Sequence, residues 1–213
     1  MVAKADVEYL LTDITQAIQQ SLQGIERIAT IVRAMKEFSH PGNTNKVETD
    51  LNHAIKTTVA VARNEWKYVA DITFELDPEL PRVPCLPGEF NQVVLNLIIN
   101  AAHAIADVVS RGEKKKGTIT VSTRQDGDWV EVRVRDTSIG IPEAIRTKIF
   151  DPFFTTKEVG KGTGQGLAIV YSVIVDKHQG KIAVETREGH GTTFILRLPL
   201  GVSEDSGANI ESR

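Results

Sequence analysis

Asn96 and Asn100 stand four residues apart in an otherwise apolar stretch, Asn96-Leu-Ile-Ile-Asn100-Ala-Ala-His-Ala-Ile105. On a helix that spacing puts both amides on one face. Two amides among apolar neighbours are costly unless each finds a partner. Two readings are open: a pair of structural amides, or a magnesium site in which a neutral amide oxygen is a hard ligand and a polyphosphate supplies the negative charge. His103, one turn on, is either a solvated bystander or a basic group beside that anion. Asp136 closes an alternating stretch and opens a turn, Asp136-Thr-Ser-Ile-Gly140-Ile-Pro142. It is either an ordinary turn-initiating aspartate or an acceptor for the exocyclic amine of adenine, which guanine lacks at that position. Gly160, Gly162, Gly164 and Gly166 alternate along a loop that enters an apolar helix, with Thr163 and Leu167 in the same run. Such a loop is either plain flexible chain or a backbone cradle for phosphate at a helix amino terminus. Lys157 and Lys161 flank it, as solubilising charges or as phosphate contacts.

These groups need elements to hold them. Glu89 to Val109 reads as the main helix, nearly all apolar on one side. Thr118 to Arg124 and Trp129 to Arg135 alternate and are joined by Gln125-Asp126-Gly127-Asp128, a hairpin signature. A second hairpin is expected from Lys181 to Thr186 and Thr192 to Leu198 around Glu188-Gly189-His190-Gly191. Asp50 can cap a helix bearing Leu51, Ile55, Val59 and Ala62 on one face. Asp71 to Leu76 reads as a strand, with a short strand near Val83 in the proline-rich connection that follows. Gln165 to His178 is predicted helical, with Gly180 as its carboxy-terminal cap. The order of elements does not alternate strand and helix, and no Gly-x-x-x-x-Gly-Lys-[Ser/Thr] run occurs. The sum predicts an α/β two-layer sandwich: a mixed sheet of about five strands with helices on one face.

Upstream, Val7, Leu11, Ile14, Ile18, Ile25, Ile28, Val32 and Met35 trace a narrow apolar seam on a long helix, which needs a partner helix to cover it. His40-Pro41-Gly42-Asn43 stops that helix. The expected organisation is a helical segment at 1–42, a main domain at 43–200 and a polar, disordered tail at 201–213. The 213 residues are 41% hydrophobic and 25% charged, within the globular range. A net charge of −3 predicts no nucleic-acid partner, and the single cysteine fits a reducing compartment. No apolar run was found to approach the roughly 20 residues of a bilayer span, so the chain is expected to be cytoplasmic, with no membrane segment of its own.

In order and spacing, the Asn96–Ile105 stretch, Asp136–Pro142, Phe150-Asp-Pro-Phe-Phe-Thr-Thr-Lys157 and Gly160–Leu167 resemble the asparagine box, first glycine box, phenylalanine box and second glycine box of sensor histidine kinases. That family shares its nucleotide-binding fold with DNA gyrase, MutL-type repair ATPases and heat-shock chaperone ATPases. The resemblance runs from about Leu22 to Leu198. It implies ATP and Mg2+ as ligands, with Asn100 on the metal, Asp136 on adenine, and Asn96, His103, Gly140, Lys157, Lys161, Gly162, Thr163, Gly164, Gly166 and Leu167 around the nucleotide. It further implies that Leu22–His40 is the second helix of a dimerisation hairpin, so the parent would be a homodimer through that helix. None of the five histidines (His40, His53, His103, His178, His190) heads a phosphoacceptor motif. The acceptor helix and a response regulator are therefore expected as partners, and the chain as a fragment. Ser138 departs from the family pattern Asp-x-Gly-x-Gly at its first glycine. If that position needs a left-handed backbone, serine costs about 1–2 kcal/mol, and its side chain would crowd the base. Two other readings stand beside the kinase: an ATP-driven conformational ATPase of the same fold, and a degenerate module without nucleotide. Phe150, Phe153 and Phe154 are expected to anchor the lid by apolar packing.

Overall fold

The computed structural model describes residues 45–112, 115–157 and 162–201, together with Ile14. Apart from Ile14, the expected seam helix at 7–38 and the segment 1–42 lie outside the described residues, as do Lys161 and the tail beyond Gly201.

Strand β1 (Val47–Thr49) leads into α1 (Leu51–Val61) and a single turn, α2 (Arg63–Trp66). The Asp50 side chain accepts from the His53 N–H at 2.9 Å, so the expected cap starts α1. Strands β2 (Ala70–Leu76) and β3 (Val83–Cys85) precede the long helix α3 (Pro87–Ser110). The hairpin β4 (Gly117–Asp126) and β5 (Trp129–Asp136) follows, then a 3-10 turn at Glu143–Ile145. Helix α4 (Gly166–Tyr171) continues as a π-helix through Ser172–Lys177, and β6 (Lys181–Arg187) and β7 (Gly191–Pro199) close the fold.

Five strands form one mixed sheet in the order β2-β4-β5-β7-β6, with β2 parallel to β4 and the other pairs antiparallel. β3 is the short strand expected near Val83, and it pairs antiparallel with β1, which sequence patterning did not reveal. Alternation explains the sheet. In β4 the residues Ile119 and Val121 are buried, and in β5 Val130, Val132 and Val134, all turned toward the helices. On the opposite face Glu131 is nonetheless fully covered, because Arg124, Arg133 and Arg197 close over it with contacts of 2.6–3.0 Å. Burial alone would raise its carboxyl, but hydrogen bonds from the three arginines overcome that and hold it down at about 2.

By length and composition α3 is apolar enough to cross a bilayer, which corrects the reading that no run approaches a span. Its apolar side is occupied by the core instead: Phe90, Val93, Val94, Leu97, Ile98, Ala101, Ala102, Ile105 and Val108 are all buried. Its N-cap residue, Leu86, has no side chain that can cap the helix. The task falls to a distant histidine. His178 is 1% exposed, its Nε2 accepts from the Leu86 N–H at 2.9 Å, and its Nδ1 lies 2.6 Å from the Val173 carbonyl. The two contacts define a neutral ring protonated on Nδ1. The expected helix from Gln165 to His178 therefore exists, but it widens to π spacing before this ring, and the His178 N–H bonds back to Val173 O at 3.1 Å. At the expected carboxy-terminal cap the Gly180 N–H bonds back to Ile174 O at 2.8 Å, while the left-handed step falls on Gln179, with φ 51°.

Burial, first of all, holds the His178 pKa below its ordinary value, with Lys46 and Lys177 adding to the effect. A depressed folded pKa contributes stability that is present above about pH 6.5, the unfolded value, and is lost as pH falls through the folded value. We expect His178→Phe to destabilise the domain by about 1–3 kcal/mol at pH 8, because a buried N–H loses its acceptor. In urea unfolding the gap between native and variant should narrow below pH 6.5. A gap that stayed constant from pH 8 to pH 5 would contradict this role for the ring.

Candidate functional site

Helix α3 packs on α4 and also on β5, so one helix touches both ends of the candidate site. At one end lie the amides. Asn96 is satisfied: its Nδ2 donates to the Gly166 carbonyl at 3.2 Å, and its Oδ1 accepts from Gln92 at 3.5 Å. Asn100 is different. Its side chain is half-buried and has no hydrogen bond among the described residues, although a Cβ placed on Gly166 would sit only 3.6 Å from its Nδ2. The paired-amide question thus divides, with Asn96 tying α3 to α4 and Asn100 left open to a ligand.

One turn further, His103 meets the phenylalanine-box lysine. Lys157 Nζ lies 2.7 Å from His103 Nδ1. An ammonium can only donate, so Nδ1 accepts and the ring proton sits on Nε2, 3.9 Å from Glu65 Oε2. Burial lowers the His103 pKa, Lys157 lowers it further, and Glu65 and Asp107 pull the other way. Lys157 is itself lowered by burial, against Asp107. A Cβ on Gly162 would lie 3.2 Å from Lys157 Cδ, so the glycine loop leans on this pair. Thr163 Oγ1 accepts from the Gln165 N–H at 3.4 Å, and Leu167 packs against the core at the start of α4. Gly164 has φ 66°, and a Cβ there would fall 2.3 Å from the Phe153 carbonyl carbon. The opposing residue, Phe153, is also left-handed at φ 67°. Phe150 and Phe154 pack on the core as expected, but Phe153 does not anchor the lid by burial. Its ring is 66% exposed, because the tight backbone contact with Gly164 turns it outward.

At the other end, Asp136 is the last residue of β5 and is 4% exposed. Its Oδ1 accepts from the Ser138 N–H at 2.9 Å and the Thr192 N–H at 3.3 Å. Burial raises its pKa, and the Ser138 side chain and the two backbone donors oppose the rise. Gly140 takes φ 79°, and a Cβ on it would strike the Arg187 carbonyl oxygen at 2.5 Å. Ser138 does not have a positive φ, so the expected backbone strain is absent. The left-handed step of this turn is at Gly140. Thr192 and Thr186, which fix Asp136 and the Ile141 N–H, were not singled out by sequence. Their only signal is adjacency to the Gly191 hairpin turn.

Among the described residues no group of three or more His, Cys, Asp or Glu could cage a metal. The donor set fits magnesium only as one neutral amide, Asn100, completing a coordination shell that a polyphosphate would supply.

The model of the family described as "Histidine kinase-, DNA gyrase B-, and HSP90-like ATPase" matches residues 86–202. The signal transduction histidine-protein kinase AtoS of Escherichia coli (strain K12) is 34% identical over 181 residues, 84% of this chain and 28% of AtoS. The sensor histidine kinase ZraS of Klebsiella oxytoca is 34% identical over 177 residues, 82% of this chain and 36% of ZraS. The chain therefore spans about a third of the length of these curated relatives. Among solved structures, the catalytic domain of histidine kinase ThkA is similar with a TM-score of 0.62 at 35% identity, over 73% of this chain and 95% of that one. A complex of ThkA with the response regulator protein TrrA gives 0.64 at 32% identity, over 83% of this chain and 48% of that one.

Removing the Lys157 charge tests the lid contact without any ligand. We expect Lys157→Met to raise the His103 titration midpoint toward, but not up to, the ordinary histidine value, since burial still acts on the ring. Histidine ring resonances followed by NMR against pH would show it, and an unmoved midpoint would contradict the contact.

Proposed function

The chain belongs to the histidine kinase-, DNA gyrase B- and HSP90-like ATPase family, and we propose that it binds Mg-ATP and passes the γ-phosphoryl to a histidine carried elsewhere. Its domain is of the sensor histidine kinase type. The observation that carries the finer reading is the amide of Asn100, without a hydrogen bond among the described residues, held one turn from the Lys157–His103 pair and beside the glycine-rich entry to α4. In this reading Asn100 binds the metal, and bound magnesium would neutralise phosphate charge. Lys157, Lys161 and His103 approach the phosphates, and Gly162, Thr163, Gly164, Gly166 and Leu167 shape the wall beside them. Asp136 accepts from the adenine amine, with Gly140 holding the turn. Phosphoryl transfer mostly requires positioning and charge neutralisation, which these groups supply.

The hydrolytic reading is less well supported. An ATPase of the gyrase type needs a carboxylate near the asparagine pair to activate water, and the turn before Asn100 (Asn96, Leu97, Ile98, Ile99) has none. Glu89 lies at the far end of α3 and is tied to Lys177 at 2.8 Å. The degenerate-module reading rests on Ser138; its backbone is not left-handed, which removes the strain half of that argument and leaves the crowding of the base to the affinity measurement below. We place the domain in the cytoplasm of a larger homodimeric sensor, paired through the segment before residue 43, with an acceptor helix and a response regulator as partners.

Calorimetry with and without magnesium tests the site. ATP should bind the native chain far better than GTP, and Asp136→Ala should lose most of that preference, about 1.5–3 kcal/mol for a hydrogen bond to a charged group. Asn100→Ala should lose the magnesium-dependent part of the affinity. Equal ATP and GTP binding by the native chain would end the adenine assignment, and an unchanged magnesium dependence in Asn100→Ala would end the metal assignment.

The transfer step has its own test. With labelled Mg-ATP the isolated chain should acquire no acid-labile, alkali-stable phosphate, because none of its histidines heads an acceptor motif. A dimerisation hairpin bearing the acceptor, added in trans, should become labelled. Label on the isolated chain would overturn the fragment reading.

A further inference from the structure

Position 138 is where this chain departs from the glycine pattern around Asp136, and the structure gives the serine something to do. Ser138 is 4% exposed and its backbone is free of left-handed strain. Its N–H donates to Asp136 Oδ1 at 2.9 Å, and its Oγ accepts from the Gly140 N–H at 3.3 Å. A hydroxyl that accepts from Gly140 still has its own hydrogen to give. The Asp136 carboxylate is the neighbour on which that side chain acts. The left-handed Gly140, the Ser138 hydroxyl and amide, and the Asp136 carboxylate thus form one cluster in a single turn.

We propose that Ser138 is a positioning residue for Asp136, its hydroxyl and backbone amide together keeping the carboxylate an oriented acceptor and so setting the choice of adenine over guanine. This rests on the reading of Asp136 as the group that meets the base. The chemistry follows from which partner each protonation state fits. An ionised Asp136 only accepts, and adenine offers an amine donor. A protonated Asp136 gains a donor, and guanine presents a carbonyl oxygen at the corresponding place. Burial drives Asp136 toward the protonated form, so something must oppose it. Among the described residues no charged side chain does so: the opposing groups are the Ser138 side chain and amide from the turn and the Thr192 amide from β7. On β4 the residue opposite Asp136 is the apolar Ile119. A glycine at position 138 would leave the carboxylate with the two amides alone.

The test compares the native chain with Ser138→Ala, which keeps the Cβ, and Ser138→Gly, which removes it. The Asp136 carboxyl titration is followed by carbon NMR on the ligand-free protein, assigned through Asp136→Asn, and ATP and GTP affinities are measured by calorimetry from pH 5 to pH 8. Loss of the hydroxyl should raise the Asp136 midpoint by about one pH unit in both variants. In both, the preference for ATP over GTP should begin to collapse at a higher pH than in the native chain. A midpoint unmoved in both variants overturns the proposal. So does a shift in Ser138→Gly alone, which would assign the effect to packing of the Cβ. Failure of the underlying base assignment reads out separately, as equal binding of ATP and GTP by the native chain at pH 8, while the carboxyl titration still decides whether Ser138 controls Asp136.

Discussion

Helix α3 has to satisfy two demands with one rotation. Nine of its side chains are buried, from Phe90 to Val108. That burial, worth about 1.5–3 kcal/mol for each large apolar side chain, fixes how the helix turns about its axis. A rotation of one residue, about 100° on an α-helix, would drive Asn96 or Asn100 toward the core and strand an amide there. With the apolar side seated on the sheet, the amides and His103 are carried to the flank that meets α4 and Lys157. The site's position is thus a by-product of hydrophobic burial, and its precision depends on α3 not slipping. The His178 ring on the Leu86 N–H and the Lys177–Glu89 ion pair hold the start of the helix against that slip.

The two ends of the site are built on different foundations. Asp136 ends β5, which is bonded on both sides, to β4 and to β7, in the middle of the five-stranded sheet. The Thr192 amide that fixes it belongs to β7 itself. On the other face Arg124, Arg133 and Arg197 clamp Glu131 and tie β4, β5 and β7 together. The opposite end rests on a glycine-rich loop, a six-residue α-helix and a π-helical turn. In the proposed reading the base meets the central sheet and the phosphates meet irregular backbone, which would suit a ligand whose base stays put while its phosphates react.

How much of this could be read from sequence depends on how local the cause is. The hairpin from Gly117 to Asp136 was legible because each strand has one buried and one polar face, and alternation records that directly. The three-residue strand β1 is too short to carry such a signal, and β3 was expected near Val83 without its partner. The π-helix was invisible because Val170, Val173 and Ile174 satisfy an α-helical pattern equally well. What widens the helix is the demand of the His178 ring for two partners, Val173 O and the Leu86 N–H, the latter 92 residues away in sequence. Asn96 and Asn100 were legible through helical spacing, yet only the structure separates the tied amide from the open one. The Lys157–His103 contact spans 54 residues and leaves no trace in local pattern. For Phe153, apolarity pointed inward while a left-handed backbone opposite Gly164 turns the ring out.

Burial is the first cause of every shift at the candidate site, and it pushes each group toward neutrality: Asp136 up, His103 and Lys157 down. What differs is the local correction. Asp136 is supported by donors from its own turn and from β7, so its ionised form has partners before any ligand arrives. The Lys157–His103 pair has the reverse arrangement, since the two basic groups face each other, and the nearest relief comes from Glu65 and Asp107. A polyphosphate would supply the negative charge this pair lacks, whereas the base end needs only an uncharged amine. In the proposed reading, the end that meets adenine is therefore already supplied with donors, and the end that meets the phosphates lacks only their negative charge.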